Sequence, residues 1–194
     1  MTHFSALDIK RVEETLTPST CYTPTKNRTS FELFLKGKKN RAEITEGLIA
    51  QWIKYELGFN AKVTTGKGKG GGAGQSPHDV EYDIKDSRYK RGYKKVRIEC
   101  KSALAGKLDW EKWNKLYFCY QGVKPNNFDY IFFFEVNPND GLIVKWTTRK
   151  EVMNFVSKKG LKNNARKGYA INIRNLRKEK GIKLYDLDDF PHES

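Results

Sequence analysis

The sequence predicts an α/β protein with a mixed central β-sheet flanked by helices, and three of its features carry that expectation. Asn40 to Gly58 repeats its apolar residues at helical spacing, Asp79 to Lys101 reads as two alternating strands joined by a polar turn, and Phe128 to Val136 is nearly continuously apolar. Amphipathic helices around strands of both kinds imply one layered sheet rather than a helical bundle or an all-β sandwich.

Taken in order, Phe4, Leu7, Val12 and Leu16 alternate with charges and fit a short amphipathic helix that Pro18 and Pro24 terminate. Asn40 and Glu43 have the spacing of a capping box, Ile44, Leu48, Trp52, Ile53 and Leu57 form the buried stripe, and Gly58 ends the helix. A strand is expected over Phe59 to Thr65, followed by a glycine-rich loop from Gly66 to Gly74. In the strand from Asp79 to Ile84, Val80, Tyr82 and Ile84 face one way while Asp79, Glu81 and Asp83 face the other.

The polar stretch Lys85 to Gly92 turns the chain into a second strand ending Val96 to Lys101. Leu108 to Gln121 reads as a helix with Leu108, Trp113, Leu116, Tyr117 and Tyr120 at core spacing. After the apolar strand, Asn137 to Gly141 signals a turn, Leu142 to Trp146 a strand, Thr148 to Val156 a helix, and Tyr169 to Ile173 a last alternating strand. Three regions follow: residues 1–39 as an N-terminal helical arm, 40–147 as the core, and 148–194 as a basic extension packed on the same domain and closed by an acidic tail.

Composition narrows the partners. The chain has 194 residues and a formal net charge of +14, and its last nine residues hold four acids without a Lys or Arg, leaving the preceding 185 at +18. Such an excess favours an anionic partner. With no long apolar run and no signal-peptide pattern, the partner expected is nucleic acid rather than a membrane. Three unpatterned cysteines, Cys21, Cys100 and Cys119, and three scattered histidines argue against zinc and for a reducing, cytoplasmic setting.

An acid, any residue, then lysine carries no information alone: 23 acids and 27 lysines in 194 positions produce about three such tripeptides by chance, and three occur. Of these only Glu99-Cys100-Lys101 ends an apolar alternating strand, with Glu99 and Lys101 on one face. It also has an upstream acid, Asp79, on the strand expected to pair with it. Two carboxylates brought together repel unless a cation lies between them, and Mg²⁺ is commonly held by one or two carboxylates plus a substrate phosphate. That pairing suits phosphodiester hydrolysis.

Pro77-His78-Asp79, nineteen residues, then Glu99-Cys100-Lys101 resembles the PD-(D/E)xK superfamily of restriction-endonuclease-like nucleases, over roughly Asn40 to Trp146. The resemblance implies a restriction-endonuclease-like fold for the 40–147 core, with Asp79, Glu99 and the backbone carbonyl of Cys100 as ligands of Mg²⁺, or of Mn²⁺ in its place. It implies that Lys101 positions or deprotonates the attacking water. Many members add a glutamate from the preceding helix, and Glu46 shares a helical face with Ile49, Ala50 and Ile53, turning it inward, with Glu43 as the alternative.

His78 separates Pro77 from Asp79, which leaves Asp83 as a substitute acid and His78 as a candidate for polarising water. The Gln and Tyr that follow the lysine in exonuclease-type members are not evident, which favours an endonuclease.

Candidate nucleic-acid contacts are Lys67 and Lys69 in the glycine-rich loop, Lys90, Arg91 and Lys94 in the hairpin turn, and Lys162, Arg166 and Lys167 after the helix, with Arg174 or Arg177 as base readers. The glycine-rich loop lacks the Gly-Lys-Ser/Thr of a nucleotide-binding loop. The sequence thus points to a Mg²⁺-dependent endonuclease of restriction or homing type acting on double-stranded DNA as a homodimer, in a bacterial, phage or viral setting. The alternatives are a structure-selective, junction-resolvase-like nuclease and a basic DNA- or RNA-binding module whose carboxylates are structural.

Overall fold

The computed structural model describes residues 3–4, 38–64, 78–103, 118–137, 141–163, 168–174, 176–177 and 179–191. Of the helix expected over His3 to Leu16 only His3 and Phe4 are among them, and these form a strand against residues 141–148 instead; the rest of it, Lys67, Lys69, Arg166, Lys167 and the first ten residues of the helix expected from Leu108 lie outside them. Strand β1 (His3–Phe4) precedes helix α1 (Lys38–Glu56), then come β2 (Lys62–Val63), β3 (Val80–Lys85), β4 (Tyr93–Ala103) and β5 (Phe118–Val123). Strands β6 (Tyr130–Asn137) and β7 (Gly141–Thr148), helix α2 (Arg149–Lys158) and strand β8 (Tyr169–Ile173) complete the elements.

The protein is α/β. Its main sheet runs β1-β7-β6-β4-β3-β2, with β4 and β6 parallel and every other neighbouring pair antiparallel, so the sheet is mixed. Strands β5 and β8 form a separate antiparallel pair.

Side-chain alternation divides the sheet into two buried faces. Cys100 is in register with Phe132, and both join a cluster with Ile44, Leu48, Ile49 and Ile53 of α1. Glu99 and Lys101 are in register with Ile131 and Phe133, which join the opposite cluster with Phe118 and Tyr120 of β5, Val152 and Phe155 of α2, and Ile171 and Ile173 of β8. Apolar residues on both sides of β6 explain why its sequence lacks alternation. Within α1, the buried Thr45 hydroxyl donates back to the carbonyls of Arg41 (2.9 Å) and Ala42 (3.0 Å), which lets it sit in an apolar face without an orphaned O–H.

Two further expectations fail. Helix α1 starts at Lys38, so Asn40 lies inside its first turn and does not cap it; the two lysines are adequate helix formers and nothing in them stops the helix earlier. Phe118 to Val123 is a strand rather than the end of a helix, because Phe118 and Tyr120 are buried while Cys119 and Gln121 are exposed, a period-two pattern that β8 completes by pairing. The helix expected from Thr148 is present as α2, with Thr148 as its cap rather than its first residue, its hydroxyl accepting from the Glu151 N–H.

The acidic tail folds back on the sheet. Tyr185 and Trp146 exchange backbone hydrogen bonds of 2.9 and 3.0 Å, Lys145 binds Asp186 at 2.7 Å, and the Trp146 indole donates to the Asp186 carbonyl. Leu187 and Phe190 thereby enter the cluster under α1, where Phe190 packs against the rings of Trp52, Tyr130, Phe132 and Trp146.

Candidate active site at the head of the β3–β4 hairpin

One backbone hydrogen bond ties the residue ahead of β3 to β4. Val80 faces Ile98 in the last step of the ladder, and the Asp79 N–H, just ahead of β3, donates to the same Ile98 carbonyl (2.9 Å), which keeps Asp79 beside the end of β4 that carries Glu99. The Asp79 carboxylate then accepts the Cys100 N–H through Oδ2 at 2.8 Å. Lys101, two residues beyond Glu99 on the same face, closes an ion pair between its Nζ and Glu99 Oε1. The arrangement brings Asp79, Glu99 and Lys101 together.

The electrostatics follow from burying two acids beside one base. Burial pushes the Glu99 carboxyl up to about 7; the Lys101 charge opposes that rise, and the Asp79 charge adds to it. Burial also raises Asp79, against the pull of Lys101, the Cys100 N–H and His78. Burial alone would lower the Lys101 ammonium, but the Glu99 and Asp79 charges outweigh it and hold its pKa above the ordinary value. Lys101 is therefore an ammonium at neutral pH. The Cys100 thiol, on the α1 side, is driven up by burial and then by the charges of Asp79, Glu46 and Glu99.

Glu46 is buried on α1 and comes within electrostatic reach of Cys100, whereas Glu43 is only half-buried. His78 is buried and turned to Glu81, with Nε2 3.0 Å from Oε2, and Glu81 also takes Lys95 at 2.7 Å. Asp83 lies four residues further down the hairpin, exposed and opposite Lys95, so it is Asp79 that adjoins Glu99. Lys90 and Arg91 are exposed in the hairpin turn, Lys94 is half-buried on the α1 face, and Lys162 is exposed beyond α2. Arg174 is exposed, while Arg177 acts on the buried Glu135.

One residue near the site has no counterpart in the sequence reading. Lys124, exposed between β5 and the 3₁₀ turn Pro125–Asn127, contributes a charge that lowers the Glu99 pKa. Gly168 is what allows the chain entering β8 to run against it: at φ +73° a Cβ there would lie 2.6 Å from the Val123 carbonyl oxygen and 2.9 Å from Lys124 Cγ. Nothing in the sequence around Lys124 marks it, since the contact depends on β5, which was read as helix.

A second buried carboxyl stands apart from this group. Glu135 of β6 is fully buried, its Oε2 accepts the Leu176 N–H at 2.8 Å, and its Oε1 has no hydrogen-bond partner among the described residues. Burial raises its pKa to about 7, against the Leu176 N–H and the Arg177 charge. The folded state thus keeps a proton that the unfolded state releases between about pH 4.5 and 7, so stability falls as pH rises through that window and levels off above it. Thermal melts at pH 5, 6, 7 and 8 should show that decline. Glu135→Gln should flatten it by up to about 3 kcal/mol, several degrees in Tm, with Glu99 supplying the slope that remains. Parallel curves for the two proteins would contradict the assignment.

Among the described residues, no three or more His, Cys, Asp and Glu side chains form a metal-binding group, and no helix is long and apolar enough to cross a membrane. No family model and no curated protein matches the chain. One solved structure, described as a nuclease from a fusselovirus, aligns with 16% identity and a TM-score of 0.35 over 78% of this chain and 86% of that one. So loose an alignment establishes no shared chemistry.

Proposed function

We propose that the protein is a Mg²⁺-dependent DNA endonuclease of the restriction-endonuclease-like kind, cutting phosphodiester bonds at Asp79, Glu99 and Lys101. The observation that carries this reading is the half-buried Asp79 carboxylate, held just ahead of β3 by the Cys100 N–H, beside the buried Glu99 carboxylate of β4 and its half-buried partner, the Lys101 ammonium. A fold that needed only an ion pair would have no use for the second acid, whose charge raises the Glu99 pKa.

The donor set fits Mg²⁺. Cys100 N–H and Lys101 each engage one oxygen of Asp79 and Glu99, leaving the other oxygen of each outside those two bonds, and a divalent cation would relieve the repulsion that raises Glu99. Asp79, Glu99 and the Cys100 carbonyl would hold it, with Mn²⁺ as a substitute. When bound, such an ion acidifies a water and offsets charge on a phosphate.

The protein's own groups do the rest. Lys101, held charged by both carboxylates, donates hydrogen bonds and can orient a water or neutralise a phosphate oxygen, so we assign it positioning rather than proton abstraction. Asp79 is itself oriented by the Cys100 N–H, which ties the site to the backbone of β4. Glu46 serves from the α1 side. Lys90, Arg91, Lys94, Lys162 and Lys124 supply phosphate contacts, with Lys67, Lys69, Arg166 and Lys167 assigned to the same role from their sequence positions. Two antiparallel strands are most simply cut by a homodimer.

Incubating the protein with supercoiled plasmid, in Mg²⁺ or in EDTA, tests the reading. Relaxed or linear product that forms with Mg²⁺ and disappears with EDTA is expected. Salt-sensitive binding without any cleavage would instead make this a DNA-binding module with a structural Glu99–Lys101 pair.

A further inference from the structure

The hairpin that carries Asp79 and Glu99 at one end presents aromatic rings at the other. Tyr89 is 47% and Tyr93 54% exposed, among the few large hydrophobic side chains the protein leaves in solvent. Between them in the turn stand Lys90 and Arg91, also exposed. Exposed rings interleaved with cations on a protruding turn match the two things a nucleic-acid strand offers, base faces and phosphates.

Position makes the match specific. Residues 93, 95, 97, 99 and 101 share one face of β4, so Tyr93 looks out on the same side of the sheet as Glu99 and Lys101. Six residues of strand separate Tyr93 from Glu99, about 20 Å, which is the length of about six stacked nucleotides.

The turn is also held in place. Asp86 N–H donates to the Gly92 carbonyl (2.9 Å), Tyr89 N–H to Asp86 (3.1 Å) and Gly92 N–H to Tyr89 (2.7 Å), while the Arg88 guanidinium grips both Asp86 oxygens at 2.9 and 2.8 Å. Rings displayed on a bonded turn lose little freedom on binding.

We infer that Tyr89 and Tyr93 stack on unpaired bases, and that the hairpin engages a single-stranded segment of the DNA substrate about six nucleotides from the bond to be cut. The inference rests on the proposed function for the scissile bond and narrows its substrate to DNA with an unpaired stretch beside the cut. Paired bases inside a duplex hide their faces from such rings; splayed bases present them.

Binding can be measured apart from cutting. A fluorescein-labelled 20-nucleotide single strand and the same strand in duplex, both in EDTA, serve as anisotropy probes, and a 2-aminopurine-containing single strand reports stacking by its quenching. Tyr89→Ala with Tyr93→Ala should weaken single-strand binding by about tenfold or more, abolish most of the quenching, and change duplex affinity by less than about threefold. The slope of log affinity against log salt should stay unchanged, because no phosphate contact is removed. Lys90→Ala with Arg91→Ala should instead reduce that slope by about 1.4 on the single strand.

Replacing both tyrosines by Phe should restore affinity and quenching, since the ring is kept. Wild-type affinity in the double alanine protein, or failure of the Phe protein to recover, would overturn the inference. Wild-type protein that in Mg²⁺ cuts neither plasmid nor DNA carrying an unpaired stretch, while the hairpin results hold, would defeat the nuclease reading alone. Cutting that persists while the alanine protein binds the single strand normally would defeat the hairpin inference alone.

Discussion

Asp79→Ala and Lys101→Ala should each lower Mg²⁺-dependent cleavage by at least about a thousandfold while DNA binding in EDTA changes by no more than severalfold. The two variants remove opposite charges, so a shared loss of cutting cannot come from a change in the overall field of a +14 protein. Asp79→Ala deletes the acceptor of the Cys100 N–H and one of the two acids. Lys101→Ala leaves both acids but frees Glu99 of its ion pair and removes the group assigned to hold the water.

Their effects on the site should also differ in kind. Without Lys101 the two carboxylates lose the charge that opposes burial, so the Glu99 pKa should climb further above its value of about 7; without Asp79 it should fall, because a repelling neighbour is gone. Titration of Glu99 by NMR in metal-free protein would show shifts of opposite sign. Cleavage retained in both variants would remove Asp79 and Lys101 from the chemistry.

Gly168→Ala is the second large effect, and it should appear in stability. Two costs combine there: φ +73° is disfavoured for any side chain, and the new methyl would lie 2.6 Å from the Val123 carbonyl oxygen, a backbone atom that cannot rotate aside. We expect a loss of about 2–4 kcal/mol by chemical denaturation, against about 1 kcal/mol for Gly160→Ala, where φ is +58° but nothing lies within 4 Å. Equal losses at the two glycines would mean that the β8 entry yields without resistance. Because the clash pushes on Val123 and Lys124, the Gly168 variant should also loosen the charge that acts on Glu99.

What could be read in the sequence was local. Alternation located β3, the end of β4 and all of β8, continuous apolarity located β6, and Thr148 marked the start of α2. That Asp79 would come near Glu99 followed from reading a hairpin, since an antiparallel partner is nearly determined once two strands and a turn are known. The features that escaped depend on distant partners. Phe118 to Val123 carries aromatic residues that suit either period, and only pairing with β8, nearly fifty residues later, makes it a strand. Lys124 was invisible for the same reason, and the burial of Leu187 and Phe190 in an otherwise acidic segment needed the Trp146–Tyr185 bridge.

That last contact bears on how the protein is made. The cluster under α1 draws residues from 44 onward, yet its aromatic packing is completed only by Phe190, seated among Trp52, Tyr130, Phe132 and Trp146. A chain emerging from the ribosome can pair β3, β4, β6 and β7 long before residue 187 exists, but it does so over an unfinished apolar face. The site's scaffold thus acquires its full support only once residue 190 has emerged, so shorter nascent chains would carry the acids and the lysine on a scaffold too loose to hold them in place.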